Sequence, residues 1–267
     1  IFLIVDSDKK QAEQNLIRKI KEKKEYAFLA DSVARHSLEN YLEKHKIVLE
    51  NLSKKELKIV LKEIRAELRN LTGKFQNSLK DRRQILEKED LAKLLRTHSS
   101  TAERLDFYPE LKKIIDSLNI HSILDLGCGL NPIMLANGGI YYYASDIKED
   151  ELSLIEDFFA KNKINGKTFI YNLRKIEDNL PEADLCLLFK VLDVVDPSGK
   201  NRGRLTEKIL KTVPCKKIIA SFATKKLSGK RMNYPERRWF EKILIKNNFK
   251  FTKFYSDNEV FYLIEKI

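Results

Sequence analysis

The sequence predicts an α/β protein in which a parallel, doubly wound sheet follows a helical N-terminal domain. From Ser122 onward, short apolar runs alternate with helical segments, and this pattern is typical of consecutive βαβ units. Ahead of residue 98, apolar residues recur mainly at helical spacing. The 267-residue chain is therefore divided into a helical domain over 1–97 and an α/β domain over 98–267.

The composition excludes a disordered protein and favours a polyanionic partner. Hydrophobic residues make up 43% of the chain, which is enough for a proper core. The formal net charge is +12, and clustered Lys and Arg gain affinity for phosphates by releasing counterions. A lysine-rich proteome is the alternative explanation of this charge.

The cysteines and the apolar runs predict the compartment. Cys128, Cys186 and Cys215 are isolated from one another in sequence, which argues against a zinc site and against structural disulfides. The apolar start, Ile1 to Val5, is too short for a signal sequence or a membrane span. We expect a soluble, cytoplasmic, monomeric protein without a metal or a membrane partner.

The N-terminal half predicts three basic helices. The first follows a cap at Asp6–Asp8, the second runs from about Tyr26 to His45, and the third follows a capping box of Ser53 and Glu56 and ends at Gly73. Their polar faces carry Arg18, Lys19, Lys21, Lys23, Lys24, Lys54, Lys55, Lys58, Lys62 and Arg65. These charges indicate either solvated helix faces or a surface that grips RNA phosphates, and both interpretations stay open.

A less regular stretch, residues 75–96, is interpreted as the linker between the domains. Beyond it, Ser100 and Glu103 form a second predicted capping box, with Arg104 on the first helical turn. An arginine just before the first strand is well placed to pair with a ligand carboxylate.

The most informative stretch is the glycine-rich turn that follows the first predicted strand. Gly127, Cys128 and Gly129 interrupt an apolar run where the backbone must turn sharply. Asp146 ends the next predicted strand, 19 positions after Gly127, at the spacing where an acid accepts hydrogen bonds from ribose hydroxyls. The third glycine of a dinucleotide fingerprint is absent. The pattern resembles motif I of the S-adenosylmethionine-dependent methyltransferases.

The remaining strands place further residues at the same edge of the sheet. The predicted strands are residues 122–126, 140–145, 167–171, 183–189, 216–222, 249–256 and 259–265. Ligands of such sheets bind beyond the carboxyl ends of the strands. The residues expected there, and hence expected to form one site, are Gly127, Asp146, Asn172, Lys190 and Ser221.

The residues after the fourth strand limit the methylated atom. Methylation of an adenine amino group commonly uses Asp or Asn followed by Pro-Pro-aromatic, whereas residues 187–193 read Leu-Leu-Phe-Lys-Val-Leu-Asp. Methylation of pyrimidine carbon 5 needs a nucleophilic cysteine, but Cys186 and Cys215 fall at predicted core positions. A ring nitrogen such as guanine N7 presents a lone pair and requires only positioning and stacking.

Four segments of the sequence, taken in chain order, resemble one family more specifically. They are residues 97–108, 125–132, 187–192 and 221–230, and within them Asn131-Pro132 and the Ser-Phe-x-Thr-Lys run from Ser221 are the most specific parts. Together they resemble the small-subunit ribosomal RNA guanine-N7 methyltransferases known from aminoglycoside resistance. Residues 64–68 and 71–75 resemble the last N-terminal helix of that family. The resemblance implies a Rossmann-like class I methyltransferase fold and S-adenosylmethionine as cofactor.

The resemblance also implies roles for individual residues. Arg104 would hold the cofactor carboxylate, Asp146 its ribose, and Lys190 would lie at the target base. The implied cofactor contacts are Arg104, Asp125, Gly127, Gly129, Asp146, Ile147, Asn172, Leu173 and Phe189. The implied RNA contacts are Lys225, Lys226, Lys230 and Arg231, with Phe222 or Trp239 stacking on a flipped base. Asn172 stands where the family usually has an aspartate beside the adenine, and Asp196 where it tends to have a glutamate.

Several functional alternatives stay open at this point. The Lys- and Ile-rich composition differs from that of the Arg- and Ala-rich drug producers, so a housekeeping RNA modification competes with a resistance function. Transfer RNA is an alternative substrate. A cofactor-binding RNA or ribosome assembly factor without transfer activity is a second class, and a small-molecule methyltransferase with a helical lid ranks last because the N-terminal half is basic.

Overall fold

A computed structural model describes residues 2–49, 52–72, 81–197, 199, 201–225, 229–233 and 235–266. The chain forms two compact units, one of residues 1–75 with 147–149 and one of residues 76–146 with 150–267. This division differs from the expected boundary at residue 97. Residues 81–96, the described part of the expected linker, are also not a simple linker, because Ile85, Leu86, Leu94 and Leu95 are buried in the hydrophobic core of the second unit.

The first unit is built from three helices, α1 (Phe2–Lys21), α2 (Asp31–His45) and α3 (Lys54–Thr72). They bury an apolar core of Leu16, Ile17, Ile20, Val33, Leu38, Val60, Ile64 and Leu68. The predicted capping box is present, since the Ser53 N–H donates to Oε2 of Glu56 at 2.9 Å and the Glu56 N–H donates to Oγ of Ser53 at 3.3 Å.

Two other helix starts differ from the prediction. Helix α1 begins at Phe2, upstream of the expected cap at Asp6–Asp8. Helix α2 begins at Asp31, because the residues Lys24–Tyr26 form a separate 3₁₀ turn whose Tyr26 is fully buried. Gly73, expected to end the third helix, lies outside the described residues.

The second unit contains one seven-stranded sheet of order β3-β2-β1-β4-β5-β7-β6. Its strands are β1 (Ser122–Leu126), β2 (Tyr141–Asp146), β3 (Gly166–Ile170), β4 (Leu185–Phe189), β5 (Lys217–Ala223), β6 (Lys250–Tyr255) and β7 (Glu259–Glu265). Strands β1 to β5 run parallel, and β7 lies antiparallel between β5 and β6. The predicted α/β class and all seven predicted strands are confirmed.

Helices cover the sheet on two sides. They are α4 (Arg82–Glu87), α5 (Leu91–Arg96), α6 (Ser99–Arg104), α7 (Tyr108–Asp116), α8 (Pro132–Leu135), α9 (Glu149–Asn162), α10 (Leu192–Val195), α11 (Arg204–Thr212) and α12 (Arg238–Lys246). Successive residues of β1 point to opposite faces, so Ile123 packs in one hydrophobic cluster and Leu124 in the other. Within the described part of the chain, no helix is both long enough and apolar enough to cross a membrane.

Candidate functional site

The site begins at the turn that follows β1. Gly127 and Gly129 both have left-handed backbone conformations, with φ of 75° and 49°. A Cβ atom at Gly127 would lie 2.5 Å from Cγ1 of Val191, and one at Gly129 would lie 2.9 Å from Cε1 of His98. Only glycine therefore fits at these two positions, both for its backbone conformation and for its size.

The turn is bonded to the end of β2. The N–H groups of Gly127 and Cys128 donate to the carbonyl oxygen of Ser145 at 2.9 and 2.8 Å. The Gly129 N–H donates to Oδ2 of Asp146 at 3.0 Å. Asp146 is half-buried at the carboxyl edge of the sheet. The turn and the acid predicted to act together are thus brought together in one bonded unit.

Arg104, the arginine expected to pair with a ligand carboxylate, is fully buried. Its Nη1 donates to Oδ1 of Asn131 at 2.7 Å and to the Tyr108 hydroxyl at 3.4 Å. Its Nη2 donates to Oε2 of Glu259 at 2.9 Å and to Oγ of Ser100 at 3.2 Å. Burial lowers the pKa of Arg104, but Glu259 more than offsets this and holds it above the ordinary value. Both Nη atoms are therefore used within the protein, and Nε has no hydrogen-bond partner among the described residues.

The predicted second capping box is wrong. His98 occupies the N-cap position of α6 without a side-chain cap, and Ser100 lies inside the helix, where its hydroxyl bonds Arg104. Glu103 instead approaches Lys190. Arg104 is the last residue of α6 rather than a residue of its first turn.

Asp125 supports the turn from inside the core. Its Oδ2 accepts hydrogen bonds from the Tyr142 hydroxyl at 2.8 Å and from Nδ2 of Asn131 at 3.3 Å. Burial raises the pKa of Asp125 to about 7, against the lowering effect of these two hydrogen bonds. The structure thus places Asp125 in a buried network that joins Asn131 and Arg104, rather than on a surface that faces a ligand.

Lys190 follows β4 and has a left-handed backbone with φ of 58°, which is uncommon for a residue with a side chain. Its N–H donates to the carbonyl oxygen of Ser221 at 3.0 Å. Its Nζ lies 2.5 Å from Oε2 of Glu103 and 3.3 Å from Oε1 of Glu259. Lys190 is therefore held at the site by its backbone and its ammonium group together.

The remaining expected cofactor contacts are Asn172, Leu173, Ile147 and Phe189. Asn172 is half-buried, and its Oδ1 accepts a hydrogen bond from the Arg174 N–H at 3.1 Å. Leu173 is buried, and Ile147 is half-buried and grouped with the first compact unit. The ring of Phe189 is buried and lies 4.6 Å from Cζ of Arg104, as a cation–π pair.

The prediction that Phe222 stacks on a base is wrong. Phe222 is fully buried, with ring centroids of Trp239, Phe240 and Tyr262 at 5.9, 4.9 and 5.9 Å. Trp239 itself is half-buried, and Arg202 lies over its ring at 4.3 Å. Phe222 is a core residue of this aromatic cluster.

The structure shows what the Asp196 carboxylate binds within the protein. Its Oδ2 accepts hydrogen bonds from the N–H groups of Gly203 and Thr206, both at 2.9 Å. These two donors lie at the start of α11, where backbone N–H groups lack partners within the helix. Asp196 therefore caps α11 from a distance, and an aspartate is long enough for that contact.

The predicted RNA-facing segment is partly described. Lys225 and Arg231 form an isolated antiparallel bridge, and Lys230 and Arg231 are exposed. Lys226 lies outside the described residues. Sequence reasoning missed Arg237, whose Nη2 bonds Oδ2 of Asp193 and the carbonyl oxygen of Ala223, both at 2.9 Å. This arginine fastens the end of β5 to the segment after Lys190.

Sequence reasoning also missed Glu259, the first residue of β7, whose carboxylate is fully buried between Arg104 and Lys190. The sequence signal is a charged residue at the start of a strand whose central residues, 260–264, are apolar, and it does not name the partners. Among the described residues there is no group of three or more His, Cys, Asp or Glu side chains that could hold a metal ion.

Comparisons with known proteins agree with this geometry. Residues 79–262 match the family model described as ribosomal RNA methyltransferase (FmrO). A 16S rRNA (guanine(1405)-N(7))-methyltransferase from Serratia marcescens is 30% identical over 183 residues, covering 66% of this chain and 71% of the relative. One from Proteus mirabilis is 28% identical over 191 residues, covering 68% and 67%. The crystal structure of an rRNA methylase from Escherichia coli is similar with a TM-score of 0.78 and 26% identity, covering 96% of this chain and 100% of that one.

Proposed function

The chain belongs to the FmrO family of ribosomal RNA methyltransferases, and from this premise we propose that it transfers a methyl group from S-adenosylmethionine to N7 of a guanine in small-subunit ribosomal RNA. The observation that carries the proposal is the bonded pair of glycine turn and acid, in which the Gly129 N–H donates to Asp146 at the carboxyl edge of the sheet. Ligands of open α/β sheets bind at this edge.

The residues at this edge fit S-adenosylmethionine. The absence of side chains at Gly127 and Gly129 lets the backbone of the turn approach the methionine end of a ligand closely. The Asp146 carboxylate is the acceptor for the ribose hydroxyls. Arg104 is fully buried, and both of its Nη atoms are bonded within the protein, so its contact with the methionine carboxylate is assigned to Nε, the guanidinium donor without a partner among the described residues.

The methylated atom follows from the chemistry that the site offers. When bound, the cofactor supplies an electrophilic methyl group on a sulfonium. Guanine N7 attacks with its own lone pair, so the protein has no proton to remove and acts by positioning the base in line with the methyl group. Lys190, at the carboxyl end of β4, is the residue that approaches the target base. Its ammonium group donates hydrogen bonds and accepts none, which suits O6 of guanine and leaves the N7 lone pair free to attack.

The RNA is held by charge. Lys230 and Arg231 are exposed, and the backbone of Lys225 forms a β-bridge with that of Arg231. The chain as a whole carries a net charge of +12. Contacts of Lys and Arg with phosphates supply affinity that is independent of sequence. The basic helices of the first unit contribute in the same way, and assembled subunits present RNA whose shape these contacts read.

The experiment that tests this function measures transfer of radiolabelled methyl groups from S-adenosylmethionine to 30S subunits, free 16S ribosomal RNA and transfer RNA. We expect label in the 30S subunits or free 16S RNA and none above background in transfer RNA. Label in transfer RNA alone would assign a different substrate. Measurable cofactor binding without transfer to any RNA would instead support an assembly factor.

A further inference from the structure

We infer that Glu259 is a positioning residue of the methyl transfer, because its buried carboxylate fixes the ammonium group of Lys190 against a support formed by Arg104 and Ser221. The inference rests on the proposed function and deepens it. It adds Glu259, the first residue of β7, to a site that is otherwise expected at the carboxyl ends of the parallel strands β1 to β5.

Two hydrogen bonds hold one oxygen of the Glu259 carboxylate, and the other oxygen faces Lys190. Its Oε2 accepts hydrogen bonds from Nη2 of Arg104 at 2.9 Å and from Oγ of Ser221 at 2.7 Å. Its Oε1 lies 3.3 Å from Nζ of Lys190, as an ion pair without hydrogen-bond geometry, and has no hydrogen-bond partner among the described residues. Two bonded donors hold the carboxylate in place, so the oxygen that faces Lys190 has a defined position.

Burial makes this arrangement strong and specific. Glu259 and Arg104 have no exposed side-chain surface, and Lys190 retains 8% of its own. Burial by itself raises the pKa of Glu259, yet the charges of Arg104 and Lys190 overcome this and leave its pKa below the ordinary value. Glu259 is therefore the ionised counter-charge of both cations at neutral pH.

The backbone of Lys190 depends on the same support. Ser221 accepts the Lys190 N–H with its carbonyl oxygen at 3.0 Å while its hydroxyl donates to Glu259 at 2.7 Å. The left-handed φ of 58° at Lys190 is an unfavourable conformation that surrounding contacts must maintain. Ser221 and Glu259 thus hold both the main chain and the side chain of Lys190.

Glu103 does not serve the same purpose. Its carboxylate also contacts Lys190, at 2.5 Å, but its side chain is 42% exposed and lies on the solvent side of the ammonium group. The hydrogen bond from Lys190 to Glu103 is part-buried, and its exposed carboxylate end is screened by water and salt, which weakens its hold on the geometry. The fixed reference for Lys190 is the buried carboxylate, and Glu103 is the contact that an entering base can replace.

The first test is a double-mutant cycle on single-turnover methyl transfer with saturating cofactor and RNA. The variants are Glu259→Gln, Lys190→Met and the double variant, and the matched control is Glu265→Gln, an exposed glutamate at the other end of the same strand. We expect Glu259→Gln to lower the rate by about 10- to 100-fold, as a misplaced group does. Because Glu259 acts through Lys190, the double variant should match Lys190→Met within about threefold. Rates of the double variant that equal the product of the two single losses would overturn the inference.

The second test does not require methyl transfer, and it separates failure of the inference from failure of the proposed function. In hydrogen–deuterium exchange, peptides covering residues 187–195 should exchange at least about tenfold faster in Glu259→Gln, because the support of Lys190 is lost. Peptides of α9 and all peptides of Glu265→Gln should exchange as in the wild type. Unchanged exchange around Lys190 would overturn the inference, whatever the RNA assay shows.

A third variant keeps the tests informative if Glu259→Gln does not fold. Ser221→Ala removes the 2.7 Å hydrogen bond to Glu259 and leaves both charges in place. We expect it to lower the transfer rate by about 10-fold or more, as loss of one hydrogen bond to a charged group does, and to be non-additive with Lys190→Met. Full additivity with Lys190→Met in this pair would contradict the inference in the same way.

Discussion

The backbone N–H of Gly129, in the turn after β1, donates a hydrogen bond at 3.0 Å to Oδ2 of Asp146, the last residue of β2. Strands β1 and β2 pair in parallel with Leu126 beside Ser145, and this register brings the turn after β1 against the last residue of β2. The pairing of β1 with β2 therefore sets where Asp146 lies relative to the turn. Asp146 orders the turn, and in the proposed function it is the residue that binds the ribose of the cofactor.

The first prediction concerns Asp146. Asp146→Ala removes the acceptor for the ribose hydroxyls and the bond to the turn, each a hydrogen bond to a charged group worth about 1.5 kcal/mol or more. We expect the affinity for S-adenosylhomocysteine, measured by titration calorimetry, to fall by about 100-fold. Asp178→Ala, at an exposed loop position, is the control and should bind as the wild type does. Near-normal affinity of Asp146→Ala would remove Asp146 from the cofactor site.

The second prediction concerns the glycine turn. Gly129→Ala places a methyl group 2.9 Å from the His98 ring at a φ of 49°, so both contact and backbone are unfavourable. We expect thermal denaturation to show a loss of about 1–3 kcal/mol in the free energy of unfolding, with weaker binding of S-adenosylhomocysteine. Gly138→Ala is the matched control, because a Cβ there meets no atom within 4 Å. Equal effects of the two substitutions would contradict the close packing of the turn.

The third prediction concerns the buried Arg104. Arg104→Gln leaves the Glu259 carboxylate buried without its 2.9 Å partner, and breaking a buried ion pair costs about 3–5 kcal/mol. Chemical denaturation should show that loss, while Arg238→Gln at an exposed position of α12 should stay within about 0.5 kcal/mol of the wild type. A small effect of Arg104→Gln would mean that Glu259 is solvated or protonated instead.

The fourth prediction is a pH dependence from Asp125. Its pKa is raised to about 7 in the folded protein, above the ordinary 3.8, so between these values the folded state keeps a proton that the unfolded state has lost. Asp125 therefore makes the free energy of unfolding fall as pH rises from about 4 to about 7. Asp125→Asn mimics the protonated form and should remove this slope. The measurement is urea denaturation of both proteins across that range, and parallel curves would contradict the raised pKa.

The fifth prediction concerns RNA binding. Lys225→Glu with Arg231→Glu should weaken binding of 16S ribosomal RNA and reduce the salt dependence of the affinity by about 0.7–0.9 per lost phosphate contact. Binding of S-adenosylhomocysteine should not change. Lys250→Glu, an exposed residue at the start of β6, is the control. Filter binding at several salt concentrations checks this, and an equal loss in the control would indicate a non-specific effect of net charge.

The sequence was sufficient to predict the sheet. The parallel strands β1, β4 and β5 are buried on both faces and appear in the sequence as short apolar runs. The ends of all seven strands lie within about two residues of the predicted ones. The turn after β1 and the acid after β2 were also predictable, because glycine conformation and strand spacing are local properties. The capping box at Ser53 is local in the same sense.

The features of the site that the sequence does not predict depend on contacts between residues that are far apart in the chain. Arg104 and Glu259 are 155 positions apart, and their pairing has no local signal. Phe222 was misassigned because a strand that is apolar on both faces does not reveal which ring reaches solvent, and this one packs against Phe240 and Tyr262. Ser100 has the composition of a cap, but α6 begins one residue earlier and turns its hydroxyl to Arg104.

The most direct test of the central claim identifies the methylated atom. Small-subunit RNA is incubated with the protein and S-adenosylmethionine, treated with borohydride and then aniline, which cleave the chain at N7-methylguanine, and the break is located by primer extension. We predict one new break at a guanine, absent with Asp146→Ala. Methylated RNA that resists cleavage, with mass spectrometry placing the methyl group on another atom, would contradict the assignment of guanine N7.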